Sequence, residues 1–135
     1  MANNKSLDGV LIKKANKGQQ FTEEQLEEFI KCADPVTGPT YFLEHYFFIQ
    51  HPVQGKIKYD PYGFQEILLN SYHENRFSIN LVSRQMGKST AAAGYLLWYA
   101  MFMPDQTILI AAHKYSGASE IMSRIRFACE TLPDF

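Results

Sequence analysis

The sequence predicts an α/β fold, because two apolar, β-prone runs alternate with two helical runs in the last third of the chain. The apolar runs lie at 77–82 and 107–112, and a segment with the composition of a helix follows each of them. The composition supports a packed domain, since 46% of the 135 residues are hydrophobic and only 20% are charged. These values exclude a disordered chain, a collagen-like repeat and a coiled coil. The net charge of −1 gives no support to a nucleic-acid or membrane partner held mainly by overall charge.

The chain is predicted to begin with a flexible, polar N-terminal arm at 1–20. A first helix is predicted from Thr22, whose side chain can cap the free N–H groups of the first turn, and Gln25 completes a capping box. We expect this helix to end at Asp34-Pro35, because proline cannot continue a helix. Its buried face is expected to carry four apolar residues: Phe21, Leu26, Phe29 and Ile30.

Residues 21–75 are interpreted as a helical, aromatic-rich subdomain. The stretch 41–50 is dense in aromatic residues, and its pattern fits either a buried helix or a strand. A hairpin or loop is predicted at 51–59, and a further helix is predicted from Asp60-Pro61, since proline suits the first helical position. The residues expected to face inward from this helix are Phe64, Ile67, Leu68 and Tyr72.

The last segment, 76–135, is predicted to begin a parallel βαβα unit with a right-handed crossover. Its elements are a strand at 77–82, a long helix from Gly87, a strand at 107–112 and a helix from Ser116 or Ser119. The apolar run inside the long helix is shorter than the roughly 20 residues that a membrane span needs. We therefore expect a buried helix there, and no membrane partner.

The cysteines and the N-terminus indicate the compartment. Cys32 and Cys129 lie far apart and form no CxxC pair, which excludes a disulfide framework or a zinc module and favours reduced thiols in a cytosol-like compartment. Residues 1–17 lack the apolar core and cleavage site of a signal peptide, so we expect a soluble protein that is not secreted.

The segment 83–90, with the sequence SRQMGKST, lies between a predicted strand and a predicted helix. A phosphate-binding loop needs main-chain N–H groups around phosphate oxygens, a lysine that reaches the β/γ-phosphates, and a hydroxyl that holds Mg²⁺. Gly87, Lys88 and Ser89 supply these parts in the required order, although Val82 stands where the strict motif has its first glycine. We therefore predict a site for nucleotide phosphates. The alternative is a strand-to-helix turn in which Lys88 is merely solvated.

Three more side chains fit a nucleotide site. Arg84 lies in the loop, where a cation can stabilise charge on the transferred γ-phosphoryl group as an arginine finger does. The alternative interpretation of Arg84 is a surface arginine that pairs with a nearby acid. Gln65 can match the edge of adenine and an aromatic ring such as Tyr62 can stack on the base, the alternative being an aromatic helix face with an exposed glutamine.

The chain resembles the large terminase subunit, the DNA-packaging ATPase of T4-type tailed bacteriophages, over nearly its whole length from about Phe21. The matching motifs are CADP at 32–35, YFLE at 41–44, IQHP at 49–52, YGFQ at 62–65, SRQMGKST at 83–90 and IAAHK at 110–114. In that family the form SRQxGK[ST] is the usual phosphate loop, so Val82 is compatible with the site.

The resemblance implies that Arg84 is a cis arginine finger, that Gln65 and Tyr62 belong to the adenine motif, and that 112–116 matches a helicase-like motif. The phosphate loop that it implies consists of Ser83, Gln85, Gly87, Lys88, Ser89 and Thr90, with Ser89 on Mg²⁺. It implies ATP and Mg²⁺ as cofactors, and double-stranded DNA, a portal protein and a small terminase subunit as partners. The location that it implies is the host cell cytoplasm, for a packaging motor that is not part of the virion.

The chain departs from such subunits in its size, because their ATPase domain is longer and is followed by a nuclease domain. No later apolar strand ends in Asp-Glu, so the sequence offers no candidate for the Walker B acid or for the catalytic glutamate. It also offers no carboxylate cluster for a nuclease. We therefore expect an N-terminal part of a packaging ATPase that is inactive alone. The alternatives are a generic P-loop or helicase-like nucleotide-binding fragment and a non-catalytic interaction domain.

Overall fold

The computed structural model describes residues 21–133, and the predicted arm at 1–20 lies outside the described residues. The described chain is mixed α/β, as the sequence predicts at that level, with five helices and a two-stranded antiparallel sheet. The elements are α1 (Glu23–Ala33), α2 (Gly38–Tyr46), β1 (Phe48–His51), β2 (Gly55–Lys58), α3 (Gly63–Glu74), α4 (Lys88–Phe102) and α5 (Tyr115–Thr131).

Helix α1 begins as predicted but does not bury the predicted face. The N–H of Gln25 donates to Thr22 Oγ1 at 3.3 Å and the N–H of Thr22 donates to Gln25 Oε1 at 3.0 Å, so both bonds of the capping box are present. Cys32 is the residue of α1 that is buried. The four apolar residues expected to be buried are exposed: Phe21, Leu26, Phe29 and Ile30. The reason is that α1 packs mainly against α2, and one neighbouring helix covers only part of an apolar stripe.

The aromatic stretch 41–50 contains both of the structures that its pattern allows. Helix α2 ends at Tyr46, the backbone becomes extended at Phe47, and β1 follows at once. Strand β1 pairs antiparallel with β2, from Phe48 opposite Lys58 to His51 opposite Gly55. The hairpin predicted at 51–59 is therefore confirmed, with its first strand beginning three residues earlier.

Helix α3 is present but is rotated relative to the prediction. It begins at Gly63, and its buried residues are Gln65, Leu68 and Leu69, at helical spacing. Of the residues predicted to face inward, Leu68 is buried, whereas Phe64 and Ile67 are exposed. Tyr72, at the next position of the same face, is partly buried against the core. The prediction places only apolar residues on the buried face, whereas Gln65 points inward and brings Leu68 and Leu69 with it.

The parallel sheet predicted for the last segment is not formed among residues 21–133. Residues 77–82 and 107–112, which we call the exposed segments, are neither helix nor strand. Phe77, Ile79 and Leu81 are 82%, 100% and 103% exposed. A β-prone sequence becomes a strand only where a second strand completes its hydrogen bonds, and the described backbone offers these segments no such partner.

Both helices of the predicted unit are confirmed, and α4 is the centre of the core. Helix α5 begins at Tyr115, one residue before Ser116. Helix α4 contacts α2, α3 and α5, which explains why it is buried on several sides. The packed region, as we call it, is built on the largest fully buried side chains: Phe42, Leu43, Phe47 and Trp98. Trp98 Nε1 donates to the carbonyl oxygen of Cys32 at 2.7 Å, so its buried N–H is satisfied. None of the helices described is long and apolar enough to cross a membrane.

Candidate functional site

The loop that precedes α4 has an unusual backbone at two positions. Gln85 and Gly87 have φ values of 62° and 69°, in the left-handed region that favours glycine. Gly87 is the N-cap of α4, and its carbonyl oxygen accepts bonds of 3.0 Å from the N–H groups of Thr90 and Ala91. No side chain caps this helix end in the described structure. The first N–H groups of a helix have no intrahelical acceptor, so the loop leads into a positively polarised helix end.

Gln65 is buried beneath this loop and connects it to α3. The side chain is 3% exposed, and its Nε2 donates to the carbonyl oxygen of Met86 at 3.0 Å. Its Oε1 accepts from the hydroxyl of Tyr59 at 2.9 Å and from the N–H of Tyr62 at 3.1 Å. A Cβ at Gly87 would lie 2.5 Å from Gln65 Nε2, so another residue there would have to displace the Gln65 amide, and the positive φ favours glycine independently. The structure therefore joins two motifs that are 21 residues apart in the sequence.

The hydrogen bonds of Gln65 limit what this side chain can offer a base. A side-chain amide has two acceptor lone pairs and two N–H donors. Both lone pairs of Oε1 and one N–H of Nε2 are used by Tyr59, Tyr62 and Met86. One N–H of Nε2 has no partner among the described hydrogen bonds, so in this arrangement Gln65 mainly fixes the loop and the start of α3. The exposed glutamine of the alternative interpretation is not what is observed.

Tyr62 presents its ring to solvent next to Gln65. It is 70% exposed, and it stacks on the ring of Phe64 with centroids 5.9 Å apart and planes 9° from parallel. An exposed, flat pair of rings can stack on a nucleobase, whichever base it is. The position of Tyr62 therefore suits the base contact that the sequence predicts.

The residues predicted for the phosphate site lie in the loop before α4 and in its first turn, and they differ in exposure. Ser83, Arg84, Gln85 and Lys88 are exposed, whereas Gly87, Ser89 and Thr90 are partly buried. Neither Arg84 nor Lys88 forms an ion pair with a described acid, since the pairs described are Glu28–Lys31 and Glu120–Arg124. The acid partner that would make Arg84 an ordinary surface arginine is not found between residues 21 and 133. Lys88 is the first residue of α4 and Arg84 lies three residues before its N-cap, so two cations lie close in sequence to the polarised helix end.

Arg124 of α5 also reaches the first turn of α4, which the sequence alone did not reveal. Its Nη1 donates to the hydroxyl oxygen of Thr90 at 2.7 Å, and its Nη2 donates to Glu120 at 2.5 Å. The spacing of Glu120 and Arg124 along one helix, four residues apart, is the signal that could have drawn attention to the pair. Contact with Thr90 depends on how α4 and α5 pack, which the sequence pattern does not specify.

Residues 112–116, which match a helicase-like motif by resemblance, lie at the start of α5. His113, Lys114 and Tyr115 are exposed, and Lys114 is the N-cap residue. No hydrogen bond joins them to the phosphate loop in the described chain. An apolar groove of about 570 Å³ lies next to this segment, between α4 and α5, and Arg126 is on its wall. The groove includes none of the residues predicted for the nucleotide site.

Among the described residues, the candidate ligand for Mg²⁺ is a hydroxyl group and not a cluster of carboxylates. No group of three or more His, Cys, Asp or Glu side chains within 21–133 could hold a metal ion. Ser89 lies in the first turn of α4, where a hydroxyl can share a metal with bound phosphates. The residues present therefore fit Mg²⁺ carried by a nucleotide, and they do not fit a metal bound by the protein alone.

A separate polar cluster joins α1 to α2. Glu28 Oε1 accepts from Lys31 Nζ at 2.7 Å, and its Oε2 accepts from the hydroxyls of Tyr41 at 2.6 Å and Tyr46 at 2.8 Å. The hydrogen bond from Lys31, followed by those from the two tyrosines, lowers the pKa of Glu28 to about 2. Burial beside this carboxylate raises the pKa of the Cys32 thiol to about 11. These bonds hold two helices together, and their groups are already satisfied by one another.

No known protein-family model matches the sequence. The similarity to large terminase subunits therefore rests on the six motifs named above.

Proposed function

We propose that this chain binds ATP with Mg²⁺ at the loop 83–90, as the ATP-binding part of a large terminase subunit. The observation that carries the proposal is the backbone of that loop. Gln85 and Gly87 turn the chain through left-handed conformations into the uncapped end of α4, and Gln65 holds the turn from below. Helix ends of this kind bind phosphate through free N–H groups and the helix dipole.

Each residue of the site has a role that suits its position. Lys88 and the N–H groups of the first turn would hold the β- and γ-phosphates, and Ser89 would hold Mg²⁺ together with them. Because α4 is long and packed on several sides, these groups are held in place before a ligand arrives. Bound Mg²⁺ would neutralise charge on the phosphate oxygens.

The base and the reacting phosphate would contact exposed side chains. Tyr62 would stack on adenine, with Gln65 fixing its backbone and donating one N–H to the base. Arg84, exposed and without a described acidic partner, would lie against the γ-phosphate as an arginine finger. Such a finger typically contributes about 10³–10⁵ in rate.

The wider role rests on the resemblance. In that role, ATP hydrolysis by the intact motor moves double-stranded viral DNA into a prohead in the host cell cytoplasm. The portal protein and the small terminase subunit are the protein partners. The generic P-loop or helicase-like alternative shares the same site and predicts the same nucleotide contacts.

The decisive experiment compares ATP with adenosine, using the full chain, titration calorimetry and Mg²⁺ in the buffer. We expect ATP to bind at least about tenfold more tightly than adenosine, because charged hydrogen bonds to phosphate are worth about 1.5–3 kcal/mol each. Lys88→Ala should remove that preference and leave adenosine binding unchanged. Lys58→Ala, which removes an exposed lysine of β2, is the matched control and should behave as the wild type. Equal affinity of the wild type for ATP and adenosine would overturn the proposal and favour a non-catalytic interaction domain.

A further inference from the structure

Arg124 of α5 forms a hydrogen bond with the first turn of α4. Its guanidinium is shared between Thr90 Oγ1 at 2.7 Å and Glu120 Oε1 at 2.5 Å. The side chain of Arg124 is 38% exposed and that of Glu120 is 64% exposed. Arg124, which contacts Thr90, is therefore better shielded from solvent than Glu120. Thr90 follows Lys88 and Ser89 directly, so Arg124 reaches the phosphate loop from a different helix.

The direction of this hydrogen bond fixes what Thr90 can do. A guanidinium has only donors, whereas a hydroxyl has one donor and two acceptor lone pairs. Thr90 Oγ1 must therefore accept from Arg124, which leaves its O–H to donate elsewhere. No described hydrogen bond is donated by this hydroxyl. The neighbouring positive charge also makes the O–H a better donor to an anion.

We propose that Arg124 is a positioning residue for the phosphate site. It holds the Thr90 hydroxyl with its O–H free to donate to a phosphate oxygen, and Glu120 holds Arg124 in the matching orientation. The inference rests on the proposed nucleotide site, because it assigns Arg124 a role toward the phosphates bound there. It also makes the packing of α5 against α4 a determinant of phosphate affinity, although α5 supplies no residue to the loop itself.

The test measures the affinity of the full chain for ATP and for adenosine in four single variants and in the double variant Thr90→Val/Arg124→Met. Arg124→Met removes the guanidinium donors and the charge but keeps an unbranched side chain, and Arg124→Lys keeps a charged donor. Thr90→Val removes the hydroxyl with little change of shape. Arg126→Gln, on an exposed residue two positions along the same helix, is the matched control.

We expect Arg124→Met to lower the affinity for ATP about tenfold, because one hydrogen bond to a charged phosphate is lost. The affinity for adenosine should be unchanged. Arg124→Lys should retain most of the ATP affinity, and Arg126→Gln should retain all of it. In the Thr90→Val background, Arg124→Met should have no further effect, since a positioning residue acts only through the group that it positions. If Arg124→Met does not fold, Arg124→Gln carries the same comparison.

Three results would overturn the inference. The first is an ATP affinity that Arg124→Met leaves unchanged. The second is an equal loss of affinity for ATP and for adenosine, which would indicate a structural role for Arg124. A full effect of Arg124→Met in the Thr90→Val background would show that the arginine acts on the phosphate directly. A wild type that fails to prefer ATP over adenosine overturns the proposed function instead, so the two failures are distinguishable.

Discussion

The packed region and the exposed segments contain the same kinds of residue in opposite environments. Phe42 and Trp98 of the packed region are 2% and 0% exposed, whereas Phe77 and Ile79 are 82% and 100% exposed. Helix α4 has α2, α3 and α5 around it, whereas no described strand pairs with the exposed segments. Apolar patterning thus determines which residues can be buried. A neighbouring element determines whether they are.

The largest expected effect comes from removing one side chain from each region. Trp98→Ala should destabilise the protein by about 3–5 kcal/mol, because it leaves a large cavity and an unpaired Cys32 carbonyl. Ile79→Ala should change the free energy of unfolding by less than about 0.5 kcal/mol, because the side chain is already fully exposed. Urea denaturation followed by circular dichroism measures both. Similar losses in the two variants would show that the exposed segments are buried in solution, and Trp98→Phe provides a milder core variant if Trp98→Ala does not fold.

A smaller effect should follow from adding a methyl group inside the packed region. A Cβ at Gly94 would lie 3.0 Å from Phe47 Cε1 and 3.1 Å from Leu43 Cδ2. Gly94→Ala should therefore cost about 1–3 kcal/mol, since overpacking forces side chains and backbone to shift. Gly63→Ala is the matched control, because a Cβ there meets nothing within 4 Å and alanine favours a helix. Thermal melts should rank Gly94→Ala below the wild type and Gly63→Ala level with it or above it. The reverse ranking would mean that the core around Gly94 is loosely packed.

The smallest effect concerns acid, at the polar edge of the packed region. Glu28 has a pKa of about 2 in the folded protein, against an ordinary value of 4.5. A carboxyl whose pKa is lowered by folding stabilises the folded state above its unfolded pKa. That contribution is lost as the pH falls from about 4.5 to about 2. Glu28→Gln should therefore reduce the stability difference between pH 6 and pH 3, as measured by denaturant midpoints. Glu24→Gln, in the first turn of the same helix, is the control. An equal change in both variants would show that the loss of stability in acid does not come from Glu28 in particular.

Features that depend on residues close in sequence could be predicted. The capping box of Thr22 and Gln25, the hairpin around Gly55 and the start of α4 after Gly87 are set by a few adjacent residues, and all three are present. Periodicity likewise indicated the helix at α3. Short-range chemistry therefore accounts for most of the helices and for the position of the loop.

Features that depend on distant partners could not be predicted. Phe29 and Ile30 are exposed because α1 has mainly one neighbour, which their spacing does not reveal. The β-prone run 77–82 has no described partner strand, and a strand needs one. At the site, the motif around Gln65 predicts a contact with the base but does not predict its hydrogen bond to Met86, and no sequence pattern assigns a role to Arg124. Both contacts span more than 20 residues.

The hydrogen bond from Trp98 to Cys32 has a consequence for how the protein folds. It joins residues 66 positions apart, so the interior cannot be completed until α4 has been synthesised and brought back against α1 and α2. Closing so long a stretch of chain is entropically costly and slows folding relative to a protein built on local contacts. On the ribosome, Phe42 and Phe47 would stay uncovered until α4 emerges, and during that interval the nascent chain is most open to chaperones and to misassociation.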